Sequence, residues 1–420
     1  MSGIGVLLGL LVLAFVGSML VGGRTIRGFG LPSGAEYLVL GVVVGPHVLG
    51  VLTRSTIAGL ESIFVLGASW LALVAGIGYG IVGSRRVNFG RAFVGIVTAV
   101  GVGAGVAWAL YQVLVELDVL ARAERLPTAL AAGIVCSETT RHTVRWVVER
   151  HGARGPVSDW VADMARASAL VPLVGLGYLM AAAPHAPLEV LSVPERFGAT
   201  VAVGVVMGLV AVVLLGREFR RDESWGILLG TSVMGGGLAA RLGLSPMTTL
   251  FVMGLTLAAL SRHRLEIKFM VQPTEKPVVL PVLLVTGASI SFTTVPKLGW
   301  LVAAAVLARV LVEVGRGVVL SAAIPSVRGA WAEVGLGMSS TGTLALAAAF
   351  TLSVRSPGPS TDAVLVIAAA TVLVGEALGP AMLRRAITRA GEAHAVGEEV
   401  SPLSLRSPRA MISDYPGPST

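Results

Sequence analysis

The sequence contains little charge, few aromatic residues and a single cysteine. Of its 420 residues, 13% are charged and 5% are aromatic, whereas 54% are hydrophobic and the mean hydropathy is +0.82. A soluble domain carries about 25% charged residues, so a soluble fold is excluded. The lone Cys136 excludes a framework of disulfides. The composition is that of a polytopic membrane protein made of helices.

The sequence also lacks the residue spacings that are typical of metal sites, nucleotide-binding loops and catalytic nucleophiles. It has no Cys/His metal spacing, no phosphate loop and no nucleophile elbow in a suitable context. We therefore expect no cofactor, no metal and no enzymatic reaction. The net charge of +8 comes from basic residues scattered through short loops, which indicates topology signals rather than a nucleic-acid partner.

Apolar runs predict about 13 transmembrane helices, because a run of about 20 residues crosses ~30 Å of hydrocarbon. The runs cover residues 4–22, 31–45, 61–83, 92–115, 128–148, 157–182, 197–216, 225–243, 246–261, 277–292, 298–324, 330–353 and 361–383. The first run has no basic segment before it and no small-residue cleavage site, so we interpret it as a retained helix. The predicted fold is an all-α membrane helix bundle.

The distribution of Lys and Arg predicts the orientation of the chain. Loops after odd-numbered runs carry eighteen of these residues, and loops after even-numbered runs carry seven. This places the N-terminus outside and the C-terminus in the cytoplasm, and we expect a bacterial inner membrane. Residues 1–385 would form the transmembrane domain. Residues 386–420, rich in Ser, Pro, Gly and Glu, would form a disordered cytoplasmic tail.

Two apolar runs are interrupted by polar residues. Ser137, Glu138, Thr139 and Thr140 lie in the fifth run, and the segment Ser339–Thr343 lies in the twelfth. Seven runs separate them, so the two segments have opposite orientations, as inverted repeats require. Two such discontinuous helices, crossing near the midplane, would free carbonyls and helix ends for an ion. The candidate ion ligands are Ser137, Thr139, Thr140, Ser340 and Thr341, although such hydroxyls more often bond to their own helix.

Asp163 is the acid near the middle of the sixth run. An ionisable group at that depth costs roughly 3 kcal/mol, so such groups are functional by default. A buried carboxylate binds either a proton or a cation, and their competition is sufficient for antiport. Arg166 follows three residues later on the same helix face, and it could hold Asp163 in a permanent ion pair.

Other charges in the apolar runs have several possible partners. Glu138 could pair with Arg141. In the eleventh run, Glu313 lies one turn from both Arg309 and Arg316. Arg309 has the better (i, i+4) spacing, but a structural Arg309 pair and a functional arginine are both open. Glu376 is expected near the membrane interface, and lone histidines such as His142 are expected to be ordinary.

These segments resemble the monovalent cation/proton antiporter superfamily, near its Kef-type and sodium/proton exchanger branch. The segment Leu40–Gly50 is similar to the stretch that closes the family's second helix, and Ser137 to Thr140 is similar to its first helix break. The triplet Val161-Ala162-Asp163 falls where the family places its essential aspartate. Pro281–Ser291 resembles the family's segment that ends in Val-Gly, and Gly335–Thr343 resembles its second helix break. The resemblance covers residues 5–385.

The resemblance implies a secondary transporter that exchanges Na+ or K+ for protons, with a core domain moving against a dimerisation domain in a homodimer. Ala162 replaces a residue that is usually polar, and the remaining single carboxylate implies electroneutral exchange. The family's Lys or Arg before the second break corresponds to Arg309 or Arg316. Two alternatives stay open: a transport-inactive sensor or scaffold, and a transporter of a small organic or anionic solute, which Arg141, Arg166 and Arg309 would suit.

Overall fold

The computed structural model describes residues 34–80, 89–183, 188, 190–216, 221–292 and 297–393. This part of the chain forms sixteen α-helices, two short 3-10 helices and no strand. The helices are α1 (Ala35–Val44), α2 (Arg54–Gly80), α3 (Phe89–Leu117), α4 (Arg122–Cys136), α5 (Arg141–Arg150), α6 (Pro156–Ser168), α7 (Leu170–Ala182), α8 (Val193–Leu215), α9 (Arg221–Arg241), α10 (Pro246–Leu260), α11 (Arg264–Val271), α12 (Glu275–Ala288), α13 (Leu298–Ala323), α14 (Trp331–Gly337), α15 (Thr343–Arg355) and α16 (Pro359–Arg389).

Six stretches within the described residues are long and apolar enough to cross a membrane: α2, α3, α6 continued by α7, α8, α13 and α16. Helices also occupy the positions of the other apolar runs from the second onward. The first run, 4–22, lies outside the described residues, as does 394–420 of the expected tail. The expected tail boundary at residue 385 is too early, because α16 continues to Arg389.

Two predicted helix breaks occur at the polar segments. The chain leaves helix between Cys136 at the end of α4 and Arg141 at the start of α5. It does so again between Gly337 at the end of α14 and Thr343 at the start of α15. The polar residues cause the breaks, because hydroxyls compete with the helix for backbone groups and Gly342 lowers helix propensity.

The helices pack in two groups. The first group comprises α1, α2, α8, α9, α10, α11 and α12, and the second comprises α3, α4, α5, α6, α13, α14 and α16; α7 and α15 contact both. Close backbone approach is built into the second group. A Cβ on Gly317 would overlap the Trp331 carbonyl, and one on Gly335 would overlap the Glu313 carbonyl, so α13 and α14 meet through glycines. The first break lies within this second group, and the second break joins α14 of this group to α15.

Glu392, just after α16, is buried against the N-terminal end of α6. Its carboxylate accepts hydrogen bonds from the Val157 N–H at 2.7 Å and the Ser158 N–H at 2.8 Å, and from the Ser158 hydroxyl at 2.6 Å. Gly155 packs directly on this carboxylate, and a Cβ there would overlap it. A negative group at a helix N-terminus satisfies free N–H groups and favours the helix dipole. The C-terminal segment therefore holds α6 in place.

Replacing Glu392 by alanine should destabilise the protein, because the N–H groups of Val157 and Ser158 would stay buried without an acceptor. We expect a loss of about 1–3 kcal/mol, measured as a lower midpoint of thermal unfolding in detergent. Glu149→Ala is the matched control, since Glu149 forms an exposed pair with Arg145 and such pairs add little stability. Equal midpoints for the two variants would contradict the capping role.

Candidate functional site

The two helix breaks are bonded to each other in the protein interior. The Thr140 N–H donates to the Ser340 carbonyl at 2.8 Å, and the Thr139 hydroxyl donates to the Met338 carbonyl at 2.8 Å. Thr140 also caps α5 by accepting the His142 N–H at 3.4 Å. Thr139, Thr140 and Ser340 are all buried. The structure therefore brings together the two polar segments that the sequence singles out.

Arg309 binds the carbonyl ends of both broken helices. Its guanidinium donates to the Cys136 carbonyl, to the Glu138 carbonyl at 2.9 Å, and twice to the Ser339 carbonyl, at 2.9 and 3.2 Å. A helix C-terminus carries partial negative charge and carbonyls without partners. Arg309 compensates both at once.

Arg316 binds the same junction about two turns further along α13. Its Nη2 donates to the Thr139 hydroxyl and the Met338 carbonyl, both at 3.2 Å. It also lies 2.6 Å from the Glu313 carboxylate, whereas Arg309 lies 3.9 Å from it. The (i, i+3) arginine, and not the (i, i+4) one, is therefore the closer partner of Glu313. Both arginines contact the junction, so geometry alone does not select one of them as the functional cation.

Glu138 caps the N-terminal end of α15 across the junction. Its Oε2 accepts the Ala345 N–H at 2.7 Å, and the carboxylate lies so close to Gly342 that a Cβ there would overlap it. The expected pairing of Glu138 with Arg141 is replaced by another, because Arg141 donates to Glu275 at 2.7 Å. Glu138, a residue of the first break, thus neutralises the positive N-terminal end of α15, the half-helix that follows the second break.

Glu376 occupies the corresponding position at α5. Contrary to the expected interfacial location, its side chain is only 2% exposed, and its Oε1 accepts the hydroxyl of Thr143, the third residue of α5, at 2.7 Å. The signal that could have found it is an acid within an apolar run, between Gly375 and Gly379. Each half-helix that begins at a break therefore has a buried carboxylate at its first turn.

Asp163 lies on α6 at a half-buried position beside α3. Its Oδ2 is 3.6 Å from Nη1 of Arg91, which also lies 3.7 Å from Asp159 and stacks on Trp160. Arg166, the expected lock on Asp163, is exposed. Arg91 of α3 therefore pairs with two acids of α6, Asp159 and Asp163.

The residue of α6 that contacts the first break is Ser168, which the sequence reasoning missed. Its hydroxyl accepts the Thr139 N–H at 3.0 Å and lies 3.2 Å from the Thr139 carbonyl. Ser168 is five residues after Asp163, or about 7.5 Å along the helix axis. A lone serine in a membrane helix carries no distinguishing signal, because it usually bonds within its own helix. At this contact, α6 offers the break a hydroxyl group.

The remaining candidate hydroxyls behave in two ways. Ser137 donates to the Ile134 carbonyl of its own helix at 2.6 Å, and Ser340 donates to the Gly375 carbonyl at 3.0 Å. The hydroxyls of Ser339 and Thr341 are buried and have no hydrogen-bond partner among the described residues. The second break therefore retains oxygen atoms that are able to bind a ligand.

Arg141 and His142 connect the first break to the other group of helices. The Glu275 Oε1 lies 2.7 Å from Arg141 Nη2 and 3.1 Å from His142 Nε2. Arg141 and His142 begin α5 in the second group, and Glu275 begins α12 in the first. These contacts join the two groups directly at the start of a broken helix.

Gly342→Ala should disrupt the junction, because the new methyl group would displace the Glu138 carboxylate from the α15 cap. We expect a cost of about 1–3 kcal/mol, measured by thermal unfolding in detergent. Gly315→Ala on α13 is the matched control: a Cβ there has open space around it, so the variant should equal or exceed the intact chain in stability. If Gly342→Ala is as stable as Gly315→Ala, Glu138 does not occupy the position described.

No protein-family model and no curated protein matches the chain. Among solved structures, the fold is similar to the sodium proton antiporter MjNhaP1 from Methanocaldococcus jannaschii at pH 8, with a TM-score of 0.67, 14% identity, and coverage of 93% of this chain and 99% of that chain. A second structure of MjNhaP1, from an electron-microscopy map, matches with a TM-score of 0.63 and 15% identity, covering 90% of this chain and 97% of that one. The chain therefore has a cation/proton antiporter fold.

Proposed function

We propose that the chain is a secondary transporter that exchanges a monovalent cation, Na+ or K+, for protons. The observation that carries this proposal is the pair of helix breaks bonded to each other in the interior, through Thr139, Thr140 and Ser340, within an antiporter fold. Broken helices at the midplane provide oxygen ligands and helix ends where a continuous helix provides none. The two breaks would then belong to inverted repeats of a bundle with thirteen spans.

Asp163 is the proposed acid on the cytoplasmic route to the junction. Arg91 lies beside it, and Arg166 is exposed on the same helix. Neutralising Asp163 would leave this route with excess positive charge, which raises the electrostatic barrier for a cation. Asp163 would therefore be required for transport, although it does not contact the first break itself. It lies about 7.5 Å along the helix axis from Ser168, the residue of α6 that does.

Movement between the two helix groups would supply alternating access. The contact of Arg141 and His142 with Glu275 joins the groups, so it has to stretch or break when one group moves against the other. Alternating access in inverted-repeat transporters is largely such rigid-body motion. We further propose, from the family resemblance, a homodimer in a bacterial inner membrane with an external N-terminus and a cytoplasmic C-terminus.

The second candidate is a transport-inactive sensor or scaffold. It is favoured by Ser168, since α6 offers a hydroxyl to the first break, and by the bonds that already engage Glu138 and Glu313. A transporter of anionic solutes has less support. Arg309 is committed to carbonyls and Arg141 to Glu275, so two of the three arginines that suited an anion are engaged.

In membrane vesicles that hold a pH gradient, adding Na+, K+ or Li+ should dissipate the gradient for the intact chain. Asp163→Asn should abolish the response, because Arg91 and Arg166 would then repel the cation. Asp159→Asn is the matched control: it removes the same charge beside Arg91 one turn nearer the helix end, and a smaller loss of rate is expected.

The measurement is the recovery of the fluorescence of a pH-sensitive dye, made with equal amounts of inserted protein and repeated from mildly acidic to alkaline pH. If the intact chain responds to none of the three cations, cation/proton exchange is rejected and the inactive scaffold is favoured. A full rate in Asp163→Asn would instead remove Asp163 from the route.

A further inference from the structure

Glu376 lies between the two helix breaks. On its own helix, α16, the adjacent Gly375 accepts the Ser340 hydroxyl at 3.0 Å, and a Cβ on Gly379 would overlap that same hydroxyl. This stretch of α16 therefore packs directly on the second break. On the other side, Glu376 Oε1 accepts the Thr143 hydroxyl of α5 at 2.7 Å, which places the carboxylate at the half-helix that follows the first break.

The other buried carboxylates at the junction have fixed partners that favour the ionised form. Glu138 accepts a backbone N–H of α15, and an N–H can only donate. Glu313 lies 2.6 Å from the Arg316 guanidinium, which also can only donate. Protonating Glu138 would weaken its charge-assisted hydrogen bond, and protonating Glu313 would remove its ion pair with Arg316.

The bond between Glu376 and Thr143 tolerates both protonation states. A hydroxyl donates to a carboxylate, and after a rotation about its C–O bond it accepts from a carboxylic acid. Because Thr143 adapts in this way, Glu376 keeps a partner whether it is ionised or protonated. The hydroxyl oxygen of Thr143 can also bind a monovalent cation together with the carboxylate.

The charges around Glu376 make the exchange electrically neutral. The charged and titratable groups of the first break, of the start of α5 and of α13 are Cys136, Glu138, Arg141, His142, Arg309, Glu313 and Arg316. Arg141 is paired with Glu275, and the two arginines of α13 balance Glu138 and Glu313. One proton on Glu376, or one monovalent cation beside it, leaves the junction with the same net charge, so the two compete without a change in the buried charge.

We propose that Glu376 is the interior carboxylate at which a proton and a monovalent cation replace each other, with the Thr143 hydroxyl as a neutral ligand. This inference rests on the proposed exchange function. Asp163 then serves the cytoplasmic route, and Glu376 holds the cargo. In the exchange step the O–H bond of the Glu376 carboxylic acid breaks, the proton leaves to water, and the carboxylate oxygen coordinates the incoming cation.

The test is infrared difference spectroscopy of the purified full-length chain, in which Na+, K+ or Li+ is added at constant pH. Binding should remove a C=O stretching band of a protonated carboxylic acid in the intact chain and in Asp163→Asn. The band should be absent from Glu376→Gln. Thr143→Val, which keeps the size of the side chain, should retain the band but require a several-fold higher cation concentration to remove it.

The outcomes separate this inference from the proposed function. If vesicles with the intact chain exchange cation for protons but Glu376→Gln keeps the cation-sensitive band, another carboxylate holds the cargo and only this inference fails. The same holds if the intact chain exchanges ions and shows no such band. If the intact chain shows no exchange, the proposed function itself fails. Should Glu376→Gln not fold, Thr143→Val decides: a cation requirement equal to that of the intact chain overturns the inference.

Discussion

The structure depends on compensating four helix ends inside a low-dielectric interior. Each break leaves backbone carbonyls and N–H groups without helical partners, and each unsatisfied group is costly where water is absent. Arg309 and Arg316 bind the carbonyl ends, and Glu138 and Glu376 lie at the first turns of α15 and α5. The compensation links the two breaks, because Glu138 belongs to the first break and caps the helix that follows the second.

This compensation limits what the junction can do with a cargo ion. A group that already neutralises a helix end cannot be given up to an ion without exposing that end again. The Arg309 guanidinium and the Glu138 carboxylate are therefore structural parts of the site. An exchangeable group is best placed beside a partner that can both donate and accept, and a hydroxyl is the simplest such partner. The division between structural and exchangeable charges follows from the chemistry of their partners.

The helix breaks could be predicted from the sequence because hydroxyl and ionisable residues stand out within an apolar run. Their partners could not. The backbone group that Glu138 caps is 207 residues away. Arg309 and Arg316 have equivalent spacings from Glu313 in the sequence, yet Arg316 lies 2.6 Å from its carboxylate and Arg309 lies 3.9 Å from it. Ser168 was missed because a membrane-helix serine usually bonds to its own backbone. Glu376 was placed at the interface because position within a run is a poor guide to burial in a bundle of packed helices.

Helix α6 carries Asp163, and contacts at both ends of this helix hold Asp163 in register with the junction. Glu392 fixes the N-terminal end of α6 through two backbone N–H groups, and Ser168 fixes its other end to Thr139. A helix held at both ends to the same group of helices moves with that group as a rigid unit. Asp163, between the two attachments, therefore keeps its distance from the first break during any motion of the groups. The contacts that can change are those across the groups, and the pairing of Arg141 and His142 with Glu275 is the charged contact placed at the start of a broken helix. Motion in this protein is thus expected to change access to the junction while the junction itself stays intact.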